Sequence, residues 1–201
     1  MQVVEEQTAV FEEMIQNLLN YGFGSVDNLF SALEVVSLRE ALMKRYEADR
    51  FQPAGIGDQF NLTRVSDIRS DQILWLSKES AVLVEQSFFK RLDEFVAYLN
   101  RTCFAGIDSY EFHYAVYEPG SFYKRHKDQF TSSDQRKFSL VIYLNDSWNP
   151  GDGGELVIYT DSKHCIEPVP GRVVFFSSEL EHEVLTSKIQ RKSLTGWLKT
   201  I

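Results

Sequence analysis

In the stretch "YKRHKDQF", His126 and Asp128 stand two apart in a segment that reads as a β-strand. Residues i and i+2 of a strand face the same side, so an imidazole and a carboxylate placed there can aim at one point. That pair is a two-ligand chelate for a divalent metal. A mononuclear iron(II) centre that activates oxygen needs two histidines and one carboxylate on one face of the metal, with the opposite positions left open. The candidate for the third ligand is His182 in "ELEHEVL", which opens a strand directly after "GRVVFFSS". Taken alone, the H-x-D pair reads as readily as a surface hydrogen bond, and His182 alone says no more.

Arg191 in "RKSLTGW" follows nine residues after His182, on what reads as the next strand. A guanidinium held there can pair bidentately with a carboxylate, whereas Lys lacks that planar fork. A diacid would satisfy both ends of such a site. One carboxylate and a keto oxygen would chelate iron while the far carboxylate meets Arg191, a description that fits 2-oxoglutarate. By itself Arg191 in "KIQRK" is equally a solvated cation; the two histidines and the aspartate at this separation favour the pocket.

These residues need a scaffold. The 201 residues, 43% of them apolar, suffice for one domain with a substantial core. A net charge of −8 argues against a broad phosphate-binding surface, so nucleic acid is not an expected partner. There is no basic leader and no long apolar run, and Cys103 and Cys165 show neither C-x-x-C nor zinc spacing. A cytoplasmic protein with reduced thiols and no membrane partner is expected.

Helical periodicity covers residues 4–21, about 26–46 and 87–100, the last with Phe88, Leu92, Phe95, Val96 and Leu99 on one face. Between them "FQPAGIGDQFN" reads as a loop and "ILWL", residues 73–76, as a short buried strand. From Tyr110 onward the pattern turns to period two, in short runs divided by turns. The expected class is α+β, mainly β: a double-stranded β-helix, or jelly roll, with N-terminal helices packed outside one sheet. Residues 1–100 supply helical support and a substrate loop, and 110–201 the jelly-roll core. The glycines of "PGDGGE" and "EPGS" read as turn formers, and His113 and His164 are not assigned to the metal.

The ordered series "DIRSD", Trp75, "YEPGSFYKRHKD", "VIYLND-W", "GGEL-IY", "PGRVVFF", "HEV" and "R...T-W" spans most of the chain. It resembles the iron(II)- and 2-oxoglutarate-dependent prolyl hydroxylases, in the branch holding the animal oxygen-sensing prolyl hydroxylase domains and their stand-alone bacterial relatives. Arginine rather than lysine at position 191 is similar to that branch more than to the collagen branch. The resemblance implies Fe(II) on His126, Asp128 and His182, with 2-oxoglutarate and O2 as cosubstrates and ascorbate as reductant. It implies that Arg191 and Tyr143 bind the distal carboxylate, that Tyr117 lies beside the cosubstrate, and that Thr195 and Trp197 line the pocket. Tyr123, Arg136 and Trp197 would face the substrate, and the segment 53–71 would be a finger over it. Lys127 departs from the apolar residue between the ligands in the animal enzymes, which puts the peptide read at the rim in question.

The implied substrate is a prolyl residue of a protein, with a translation factor or ribosomal protein as partner. Two rival readings are a hydroxylase of a free amino acid or other small molecule, and a jelly-roll binding or sensing module without turnover.

Overall fold

The computed structural model describes residues 2–55, 67–129 and 135–201, with side chains from residue 6 onward. Helix α1 (Gln2–Tyr21) ends at Gly22, whose φ of +77° turns the chain into strand β1 (Phe23–Val26). Helix α2 (Ala32–Glu47) follows. The helix expected from about residue 26 therefore starts later. Ser31 accepts from the Glu34 amide at 3.3 Å while Glu34 accepts from the Ser31 amide at 2.8 Å, a reciprocal cap that fixes the first turn. Val26, Leu29 and Phe30, within the stretch expected to be helical, are buried from a strand and a bend.

Strands β2 (Gln52–Pro53) and β3 (Gln72–Trp75) bracket the segment 54–71, of which residues 56–66 lie outside the described residues, so most of the expected finger does too. Helix α3 (Leu83–Cys103) overruns the expected 87–100 at both ends. Eight strands follow: β4 (Ser109–Tyr117), β5 (Tyr123–His126), β6 (Arg136–Tyr143), β7 (Leu156–Tyr159), β8 (Lys163–Ile166), β9 (Val173–Ser177), β10 (Glu181–Val184) and β11 (Arg191–Lys199).

They form two antiparallel sheets, a larger one in the order β1-β9-β6-β11-β4-β3-β2 and a smaller one in the order β5-β10-β7-β8. The first hundred residues thus supply three strands to the larger sheet besides the helices. Alternation sorts side chains between its faces. Phe112, Tyr114 and Val116 of β4 pack with Leu38, Phe88 and Phe95 of the helices. Ala115 and Tyr117 of β4 and Tyr143 of β6 point the other way, toward Leu156, Ile158 and Val184 of the smaller sheet. The result is the expected jelly roll with helices against one sheet. Gly196 lets β11 lie close to β4, because a Cβ there would meet the Glu111 carbonyl oxygen at 2.2 Å.

Candidate active site

The smaller sheet brings the two histidines together, since His126 of β5 pairs directly with His182 of β10. Asp128 is not on the strand: β5 ends at His126, and Asp128 occupies the bend that follows. The three residues nonetheless converge, with ligand atoms all within 4.8 Å of one another. Asp128 Oδ1 lies 3.5 Å from His126 Nε2, and Asp128 Oδ2 lies 3.4 Å from His182 Nε2.

Each imidazole is set by its own backbone. His126 Nδ1 donates to the Lys124 carbonyl at 2.7 Å and His182 Nδ1 to the Leu180 carbonyl at 3.0 Å. A carbonyl can only accept, so both rings carry hydrogen on Nδ1 and turn Nε2 toward Asp128. Burial alone would raise the Asp128 carboxyl, but the charge of His182 and hydrogen bonds from both histidines outweigh it and hold it well below the usual carboxylate range. Burial works against charge on His182 as well, and there Asp128 prevails and raises it. Two imidazole nitrogens and one carboxylate, open on one side, fit iron(II), and these residues would hold it.

Ser139 steers the carboxylate: its hydroxyl donates to Asp128 Oδ2 at 2.6 Å and meets Ser178 Oγ at 2.9 Å, all three side chains being buried. Neither serine stands out in the sequence beyond its place on a strand or its end. Replacing Ser139 with alanine is expected to weaken divalent-metal binding about 10–100-fold. Anaerobic titration with Mn(II), with the wild-type melting transition retained, checks this.

Across the pocket, Arg191 is 3% exposed. Its Nε donates to the Gly154 carbonyl at 2.9 Å and its Nη1 to Ser193 Oγ at 3.3 Å. Gly154 does more than turn the chain, because a Cβ there would sit 2.9 Å from Arg191 Cδ. The guanidinium lies over the rings of Tyr117 and Tyr143, at 4.8 and 5.0 Å. Other buried cations have carboxylates: Arg69 has Asp71, Arg136 has Glu111 and Lys192 has Asp146. Among the described residues no carboxylate pairs with Arg191, and the buried Tyr143 hydroxyl beside it has no hydrogen-bond partner. A buried cation and an unmatched hydroxyl together suit the far carboxylate of a diacid such as 2-oxoglutarate.

One pocket connects this cation to the triad, and Tyr117, Tyr123, Thr195 and Trp197 line it as expected. Tyr123 stacks on His126 with ring centroids 3.5 Å apart, and Arg69 covers its other face at 4.2 Å. Arg69, bonded to Asp71 through two hydrogen bonds, was not singled out in the sequence, although R-x-D carries the same two-residue spacing as H-x-D. Arg136, expected to face the substrate, is not among the residues lining the pocket: it is buried, bonds Glu111 and lies 3.6 Å over the Trp197 ring.

His113, left out of the metal site, is not a distant strand residue either. It lines the pocket, with its ring 4.9 Å from Trp75 and 5.4 Å from Trp197. Burial, aided by Arg69, pushes its pKa down to about 3. The unfolded chain therefore takes up a proton that the folded chain refuses between pH 6.5 and about 3. The stability linked to this group is complete above pH 6.5 and falls as pH drops, by about 2–3 kcal/mol on reaching pH 4.5. Urea unfolding of a His113→Phe variant at pH 7 and 4.5 should show it losing that much less than the wild type.

Comparison with known proteins agrees with this geometry. Residues 112–199 match the model of the 2OG-Fe(II) oxygenase superfamily. A prolyl-4-hydroxylase of Pseudomonas putida is 32% identical, with 95% of this chain and 99% of that one aligned at a TM-score of 0.86. A prolyl hydroxylase of Trichoplax adhaerens, in complex with a hypoxia inducible factor peptide, shares the fold at a TM-score of 0.88 and 22% identity, over 99% of this chain and 93% of that one. An uncharacterized PKHD-type hydroxylase of Synechocystis is 23% identical over 68% of this chain, which spans about half (52%) of that relative's length.

Proposed function

The chain belongs to the 2OG-Fe(II) oxygenase superfamily and carries the domain of a 2-oxoglutarate-dependent dioxygenase; from that premise we propose that it hydroxylates a prolyl residue in a protein, releasing succinate and carbon dioxide. The observation that carries the reading is the pocket running from an open His126–Asp128–His182 face to a buried, carboxylate-free Arg191. The likeness to the Pseudomonas prolyl-4-hydroxylase over nearly the whole of both chains supports the prolyl specificity. The peptide bound to the Trichoplax enzyme supports a polypeptide rather than a free amino acid as substrate.

When bound, the cofactor set supplies the oxidising power that couples decarboxylation of 2-oxoglutarate to hydroxylation of a C–H bond. The chain's residues do the rest. His126, Asp128 and His182 would hold the metal. Arg191 and Tyr143 would bind the distal carboxylate and so orient the cosubstrate. Tyr117, Val141, Leu156 and Phe176 line the intervening space and keep it dry. Tyr123 stacks on His126, and Arg69, lying over the Tyr123 ring, stiffens that side of the pocket.

The protein acts in this reading in the cytoplasm, on a translation factor or ribosomal protein, with ascorbate as reductant. Among the described residues no helix is long and apolar enough to cross a membrane. The test is to incubate host-cell extract with enzyme, iron(II), ascorbate and 2-oxoglutarate and compare its proteome with a His126→Ala control. A prolyl peptide that gains one oxygen only with active enzyme is expected. Succinate formed from small metabolites with no modified peptide would replace this reading with a small-molecule hydroxylase.

A further inference from the structure

Asn145 is 1% exposed, and both ends of its side-chain amide are bonded. Its Oδ1 accepts from the Lys192 amide at 2.7 Å and its Nδ2 donates to the Pro168 carbonyl at 2.7 Å, while its own carbonyl accepts from Arg39 Nη1 at 3.0 Å. A backbone N–H can only donate and a carbonyl can only accept, so one orientation of the side-chain amide suits both partners. Aspartate would lack the donor and leucine would lack both roles. A buried amide that is so fully matched raises the question of what it holds in place.

Its place in the sheet answers that. Strand β6 ends at Tyr143, which pairs with Ser193 of β11. One step on, the Leu144 amide donates to the Lys192 carbonyl at 2.9 Å. A regular antiparallel pair would return a bond from the Lys192 amide to the Leu144 carbonyl; here Asn145 Oδ1 takes that amide. The chain can therefore leave the sheet after Tyr143 without releasing the start of β11. Lys192 follows Arg191 directly, and Asn145 comes two residues after Tyr143. A single side chain thus ties together the two residues that would meet the distal carboxylate. Arg191 is held at its guanidinium by the Gly154 carbonyl, 2.9 Å from Nε, and at its backbone through the bond that the next residue makes to Asn145. Both constraints act on the 5.0 Å separation between the guanidinium and the Tyr143 ring.

We propose that Asn145 is a positioning residue of the cosubstrate site: it fixes Arg191 against Tyr143 and so sets the length of diacid that the pocket accepts. The inference rests on the reading of Arg191 as the seat of the distal carboxylate and deepens it. A guanidinium whose backbone slides meets a longer diacid almost as well as a five-carbon one. A fixed guanidinium discriminates, since one methylene in a fitted pocket changes affinity about 10–200-fold.

Calorimetric titration of 2-oxoglutarate and of 2-oxoadipate, one methylene longer, into the Mn(II)-loaded protein under argon tests this. The two diacids carry the same charge, so the ratio of their affinities reports geometry. Asn145→Leu is expected to bind 2-oxoglutarate about tenfold more weakly and to lose most of the preference for it over 2-oxoadipate, with Mn(II) affinity unchanged. Asn145→Ser, small enough to admit a water beside Lys192, should shift the ratio in the same direction and stands in if the leucine variant does not fold. Arg39→Met is the control. It loosens the same turn by removing the bonds to the Asn145 carbonyl and to Asp146 but leaves the Lys192–Asn145 bond in place. That variant should melt lower than the wild type and keep both affinities.

Either of two results overturns the proposal: Asn145 variants that melt lower yet keep the wild-type ratio, or an Arg39→Met ratio that falls as far as that of Asn145→Leu. In both cases an Arg191→Met variant that loses 2-oxoglutarate affinity leaves the distal-carboxylate reading standing. An Arg191→Met variant with wild-type affinity takes down that reading and the role of Asn145 with it.

Discussion

Replacing Asp128 with alanine is expected to abolish metal-dependent turnover, by a factor of about a thousand or more, while the protein still folds. Asp128 is the only negative group of the triad, and it is buried. Inside the protein its charge offsets part of a dication's, at a strength exposed pairs do not reach, and leaving a buried charge uncompensated costs on the order of 3–5 kcal/mol. An Asp128→Asn variant keeps the shape, and its amide oxygen can still accept from Ser139, which donates to the native carboxylate at 2.6 Å. If charge rather than shape holds the metal, that variant fails nearly as badly as alanine. Iron(II) titration under argon and consumption of 2-oxoglutarate measure both. An asparagine variant keeping more than a tenth of wild-type affinity and turnover would remove Asp128 from the ligand set.

Arg191→Met is expected to raise the Kd for 2-oxoglutarate about 30- to several-thousand-fold, the range for truncating one side of a buried, hydrogen-bonded charge pair, ~2–5 kcal/mol. Iron(II) affinity should stay within about twofold, since Arg191 bonds Gly154 and Ser193 and makes no hydrogen bond to the triad. The ligand-free variant should melt higher than the wild type by a few degrees, because a desolvated cation that lacks a carboxylate partner has been removed. Arg191→Lys keeps the charge but loses the fork and the Nε donor to Gly154, so an intermediate affinity is expected. Calorimetric titration of 2-oxoglutarate and thermal unfolding test the opposed signs. A variant with unaltered affinity would place the distal carboxylate elsewhere.

The parts of the candidate site legible in the sequence are those marked by side-chain type, close spacing or an ordered string of motifs. His126, His182 and Arg191 stood out by side-chain type and spacing, Asp128 by its place two residues after His126, and Tyr143 and Tyr117 by the family resemblance; the pocket contains all but Tyr143, whose ring lies 5.0 Å from the Arg191 guanidinium. On β4, Tyr114 and Val116 join the helix-facing core while Tyr117 joins the other, as strand alternation dictates. What stayed hidden depends on pairing between distant segments. Ser139 matters only because β6 passes behind the bend that carries Asp128, and His113 only because β3 and β11 lay tryptophans on either side of it. Gly154 looked like any turn glycine until Arg191 was seen against it. The start of α2 was misread for a local reason: Val26, Leu29 and Phe30 have helical spacing, but the Ser31 cap and the β1–β9 pairing decide the geometry.

Strand β11 lies in the middle of the larger sheet, between β6 and β4, although it comes after both in the chain. Until it has been synthesised, the two halves of that sheet have no common edge, and β4 and β6 each expose a row of unpaired amides and carbonyls. Closing them requires contacts across some eighty residues of sequence, from Lys199–Ser109 to Arg191–Tyr117, an entropic toll that slows folding. The same strand carries Arg191. Nascent chains therefore have neither a finished sheet nor the pocket's Arg191 until β11 has been made, which makes the interval before β11 inserts the period of greatest exposure to aggregation and to chaperones.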